Sequence, residues 1–189
     1  AIEPRGQALN KGTVAMKMSR LINLLFILIA VTAILSLVDT VFVFDSDFPL
    51  ALQIDGEVWI QQISDFSVSD RIAIFSMIEF TTIPWYWALF MMWRLATLYR
   101  EGQYFTPQNS RCFVGIAYAL ITMSVLDTLL APTIGGYFYY RGITDGLPDM
   151  DVTMILADTD LITAGLFFFL IGIIMEKAST LKEEADMTI

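Results

Sequence analysis

With 189 residues, 56% of them hydrophobic and only 16% charged, the chain is too apolar for a soluble domain built around one core. A net charge of −9 argues against nucleic-acid binding. The single cysteine, Cys112, excludes an internal disulfide and any CxxC site, and the absence of histidine removes the commonest general base and transition-metal ligand.

Residues 1–17 are polar, contain Pro4, Gly6 and Gly12, and read as a tail or anchor segment. Four apolar stretches follow, at about 21–44, 72–98, 113–134 and 155–175. Each can cross a hydrocarbon core about 30 Å thick, which takes roughly 20 residues of helix. The expected fold is all-α: a single four-span membrane domain forming an integral four-helix bundle. Val31-Thr32-Ala33 loosely fits a signal-peptide cleavage site, but the apolar run continues to Phe44, so the first stretch reads as an uncleaved span.

The basic residues set the expected topology. Arg5, Lys11, Lys17 and Arg20 precede the first span, Arg94, Arg100 and Arg111 lie around the second connection, and Lys177 and Lys182 follow the fourth span. The other two connections hold only Arg71 and Arg141, so both termini are expected in the cytoplasm.

In the first outer connection, Leu50–Ile54 and Glu57–Gln61 flank Asp55-Gly56, a strong hairpin signal, so a small β-hairpin is expected on the outer face with Trp59 near the interface. Ser67-Val68-Ser69-Asp70 resembles a capping box opening the second span. That span is aromatic-rich and carries Pro84, which predicts a kink close to Glu79. Gly102 suits the end of the second helix, and Thr106-Pro107 the N-cap and first turn of the third. Gly135-Gly136 through Asp151 reads as a glycine- and tyrosine-rich outer loop. Ser36–Thr40 is echoed by Ser124–Thr128, which fits a duplicated two-helix unit or a chance match in apolar sequence. Gly165 and Gly172, in register with Asp158, form a small-residue seam for a neighbouring helix.

Each span carries a carboxylate in its expected outer half: Asp39, Glu79, Asp127 and the pair Asp158/Asp160. A carboxylate in a membrane helix costs on the order of 2–3 kcal/mol, so a role or a partner is expected for each. Hydroxyls stand one helical turn away: Ser36, Ser76 and Thr82, Ser124, and Thr163. Asp39, Glu79, Asp127 and Asp158 therefore read as a cation- or proton-binding cluster, as the lining of a shallow, water-filled outer vestibule, or as partners of Arg71 and Arg141. Trp93, Phe105 and Asn109 are candidate partner contacts. No Ser/His/Asp set, HExxH, nucleotide loop or glycine-aspartate protease signature occurs, so neither an enzyme nor a cofactor is expected.

Two motifs carry a resemblance. Gly102-x-x-Phe105-Thr106-x-x-Asn109, together with Leu181-x-Glu183-Glu184-x-Asp186-x-Thr188-Ile189, resembles the small four-helix bacterial membrane proteins catalogued as domain of unknown function 2975. Met187 stands where that family more often has leucine. The resemblance implies a bacterial inner-membrane protein with both ends inside, and coverage from the first span to the last residue. Members are often encoded beside a small helix-turn-helix regulator, which implies signalling or gene control, and no ligand set carries over. The expectation is a non-enzymatic accessory or regulatory subunit within a larger membrane complex. The alternative is a small homo-oligomeric transporter or a cation- or proton-responsive sensor. Expected partners are the lipid bilayer and either that complex or further copies of the chain, with no direct nucleic-acid binding.

Overall fold

The computed structural model describes residues 5–44, 47–149 and 159–187. In chain order the elements are α1 (Arg5–Phe44), β1 (Pro49–Ile54), β2 (Glu57–Gln62), a 3-10 turn (Ile63–Asp65), α2 (Val68–Arg100), α3 (Pro107–Arg141) and α4 (Thr159–Met187). The four helices are long and apolar enough to cross a membrane. Helix packing follows chain order, closest between α3 and α4 and between α2 and α3, and lighter between α1 and α2.

Every helix runs beyond its expected apolar stretch. The polar tail is not a coil, because residues from Arg5 onward continue α1. Extending the helix gives the backbone of the first apolar turn its intrahelical partners, and the tail's Ala8, Leu9, Lys11, Ala15, Met16 and Lys17 are good helix formers. The expected loop at Gly135-Gly136 is likewise helical, and α3 ends only at Gly142, whose φ of 68° is left-handed. Gly135 serves a close approach instead of a turn: a Cβ there would lie 2.5 Å from Pro148 Cγ. The apolar fourth stretch was expected from residue 155, and its first four residues lie outside the described part.

The hairpin forms as read. β1 and β2 pair antiparallel with Ile54 opposite Glu57, and Asp55 (φ 51°) and Gly56 (φ 81°) make the two-residue turn. Its inner face buries Leu52 in a cluster with Phe66, Ile74, Ile134 and Phe138, with Trp59 packed against it. Phe66 stacks on Phe138 at 5.0 Å between ring centroids, and Trp59 lies 5.5 Å from Phe138. The hairpin thereby caps one end of the α2–α3 pair, the hairpin end. The opposite end, at the α2–α3 turn, is the loop end.

Between them a second cluster, Met91, Leu98, Cys112, Ile116 and Leu120, joins α2 to α3, and Leu161, Ala164 and Phe168 of α4 pack on it. The glycine seam faces α3. A Cβ on Gly165 would lie 2.7 Å from Ile121 Cγ1, and one on Gly172 2.7 Å from Val114 Cγ2. The backbones come close enough for Ser110 Oγ to donate to Gly172 O at 2.9 Å. Helix α1 is held more lightly, by a stripe of Ile22, Phe26 and Ile29. Phe26 meets Trp93 edge-on at 4.5 Å, and Arg100 lies over its ring at 5.2 Å. Lipid tails are as apolar as leucine, so this stripe holds by packing and by the Arg100 contact, without a hydrophobic driving force.

Candidate functional site

The loop end is built from local punctuation. Gly102 (φ 79°) terminates α2, with Gly102 N–H donating to Tyr99 O and Gln103 N–H to Leu98 O, the paired bonds of a Schellman motif. Thr106 caps α3, accepting from Asn109 N–H at 3.4 Å. Asn109 is fully buried, and its Nδ2 donates to Gln103 O at 2.6 Å and Tyr104 O at 2.7 Å. It was expected to meet a partner, but no surface is left on it for one, because its amide staples the turn. Phe105 stays 51% exposed on that stapled turn, and Trp93 is 45% exposed beside Phe26.

The hairpin end is closed by a network that motif reading missed. Ser67 caps α2 and accepts from Asp70 N–H at 3.3 Å, as the capping box predicts. Asp70 is nearly buried at 6% exposure and has further partners. It accepts from Ser67 Oγ at 2.5 Å, from Tyr137 Oη at 2.7 Å and from Arg141 Nε at 3.1 Å. One carboxylate thus ties the start of α2 to the last turn of α3. The available signal was the scarcity of cations in the two outer connections, which left the acids there only Arg71 and Arg141 to pair with.

Of the four outer-half carboxylates, two can be placed relative to each other. Met91 lies against Gly115 and Tyr137 against Asp70, and this antiparallel register puts Glu79 level with Asp127. Both are half-buried. The side chain of Asp39 and the whole of Asp158 lie outside the described residues. Among the described residues, no three His, Cys, Asp or Glu side chains are grouped to hold a metal ion. The neighbouring hydroxyls mainly serve their own helices. Thr82 Oγ1 donates to Glu79 O at 2.8 Å and lies 3.4 Å from Glu79 Oε2, while Ser76 Oγ donates to Ile72 O at 2.7 Å. Pro84 sits inside α2, and the Thr81 and Thr82 hydroxyls serve the Ile78 and Glu79 carbonyls about one turn earlier. Toward the hairpin end, a groove of about 570 Å³ between α2 and α3 is walled mainly by Ala73, Met77, Phe80, Leu126, Leu129 and Leu130.

Four membrane-length apolar helices with a hairpin cap define a multi-pass membrane protein. The chain belongs to the family described as "Protein of unknown function (DUF2975)", which matches residues 54–189. The match is narrower than the resemblance implied, since it begins at the last residue of β1 and leaves α1 outside. Neither a curated protein nor a solved structure matches the chain.

Proposed function

We propose that this protein is a non-enzymatic accessory or regulatory subunit of the bacterial inner membrane, acting through protein–protein contacts within a larger membrane complex. The excess of basic residues beside α1, the α2–α3 turn and α4 favours an orientation with both termini and the loop end in the cytoplasm. One observation carries the reading. The α2–α3 turn is locked by Asn109, yet it holds Phe105 half exposed. A rigid loop presenting an aromatic side chain loses little conformational entropy on binding, and such side chains dominate interface energetics. Purification from native membranes in a mild detergent is expected to yield a stoichiometric partner that Phe105→Ser releases. Recovery only as a monomer or homo-oligomer would refute the reading.

A second reading, a small homo-oligomeric transporter or a cation- or proton-responsive sensor, draws on the shared level of Glu79 and Asp127, with Asp39 and Asp158 as further members. Glu79→Gln and Asp127→Asn should then abolish any cation-dependent thermal shift of the purified chain. Variants that shift like the parent would end it.

A further inference from the structure

The β-hairpin has one edge occupied and one edge open. Ile63 N–H donates to Phe48 O, so the odd-numbered residues of β2 turn their backbone groups toward β1. Val58, Ile60 and Gln62 therefore turn theirs away. On the far side of β1, Asp149 N–H donates to Gln53 O at 2.8 Å and Pro148 bridges Ile54. On the far side of β2, no backbone partner for Val58, Ile60 or Gln62 occurs among the described residues. Val58 and Ile60 are also 65% and 62% exposed, and no lysine, proline or bulge blunts the strand. Proteins usually protect such an edge, because it is a ready template for another strand.

We propose that the free edge of β2 receives an extended segment of a partner protein as a third strand, and that this segment alternates apolar with basic residues. The proposal rests on the contact-subunit reading above and gives it a second contact surface, at the hairpin end. Main-chain hydrogen bonds to Val58, Ile60 and Gln62 supply the attachment, and the exposed Val58 and Ile60 side chains pack against the apolar positions of the incoming strand. Charge sets the partner's chemistry. Asp55 and Glu57 stand exposed at the turn end of β2, and Asp65 stands exposed beyond its other end. A second copy pairing antiparallel through the same edge would bring Asp55 and Glu57 against the partner's acidic Asp65 end, so self-pairing is disfavoured and a basic segment is matched.

The test uses the full chain in nanodiscs and a synthetic hexapeptide of alternating lysine and valine, read by amide hydrogen exchange. Exchange at Val58, Ile60 and Gln62 is expected to slow about tenfold or more, while Trp59 and Gln61, already bonded to β1, change little. Ile60→Pro removes one outward N–H without touching the β1–β2 ladder and should abolish the effect at Val58 and Gln62. Ile60→Lys repels the basic strand and gives the same answer if the proline variant loses its hairpin. Unchanged exchange overturns the proposal, as does equal slowing by an alternating glutamate and valine peptide. Slowing that depends on chain concentration, without peptide, also overturns it in favour of self-pairing. If a native partner co-purifies while the three amides ignore the peptide, the edge proposal alone falls. If the amides respond and no partner co-purifies, the subunit reading alone falls.

Discussion

The two ends of the α2–α3 pair are closed by different means. At the loop end the turn itself is closed locally: Asn109 reaches back five and six residues to the carbonyls of Tyr104 and Gln103. At the hairpin end the contacts are long-range, with Tyr137 and Arg141 meeting Asp70 across 67 and 71 residues, and Asp149 Oδ2 accepting from Gly56 N–H across 93. A local closure forms as soon as its helices do, whereas a long-range closure must first offset the entropy of bringing distant segments together. The hairpin end therefore leans on its buried aromatic cluster, and the loop end on hydrogen bonds.

Removing that cluster should have the largest effect. Phe138 is fully buried between Phe66, Trp59 and Tyr137, so Phe138→Ala is expected to cost about 4 kcal/mol in detergent unfolding followed by tryptophan fluorescence. Hydrogen exchange should rise at Trp59 and Leu52 while Gln103 stays protected. Equal loosening at both ends would remove the distinction. Asn109→Ala is the converse and should cost about 2–3 kcal/mol, because a fully buried amide and its two hydrogen bonds to the turn carbonyls are lost. Its exchange increase should stay within the α2–α3 turn. Gly135→Ala comes next, at about 1–2 kcal/mol, since the added methyl meets Pro148 and must push it from α3. The same unfolding assay, with exchange at Asp149 N–H as the local reporter, measures it.

What could be read beforehand follows the same division. The Asp55-Gly56 turn, the Ser67 and Thr106 caps, the Gly102 stop and the Gly165/Gly172 seam each depend on spacings of a few residues, which a sequence displays directly. Gly135-Gly136 misled because glycine marks both turns and close approaches, and only the fold reveals Pro148 lying against α3. Asn109 read as a candidate partner contact for a similar reason, since a polar residue in a turn gives no sign that main-chain carbonyls have turned inward to meet it. The Asp70, Tyr137 and Arg141 network could not be read at all from spacing. Its members are joined by an antiparallel register that packing of Met91 over Gly115 helps to set. Of the carboxylate level, the match of Glu79 with Asp127 follows from that same register.

The smallest expected effect is the most discriminating. Asp70 and Arg141 form an ion pair at 3.1 Å, but the Arg141 side chain is 48% exposed, so solvent screens much of their attraction. Asp70→Asn keeps an acceptor for Tyr137 and Ser67 while removing the charge, and Arg141→Gln removes the opposing charge. Each single variant should destabilise less than Asn109→Ala, and the double variant should lose less than the sum of the two. The coupling between them should shrink in high salt. Asp70→Ala should be worse than Asp70→Asn, since it also strips the acceptor from the Tyr137 hydroxyl and ends the bond from Ser67. If the two substitutions were additive, Asp70 would act at the hairpin end as a hydrogen-bond hub alone. The two ends would then share one mechanism, differing only in how far along the chain their partners lie.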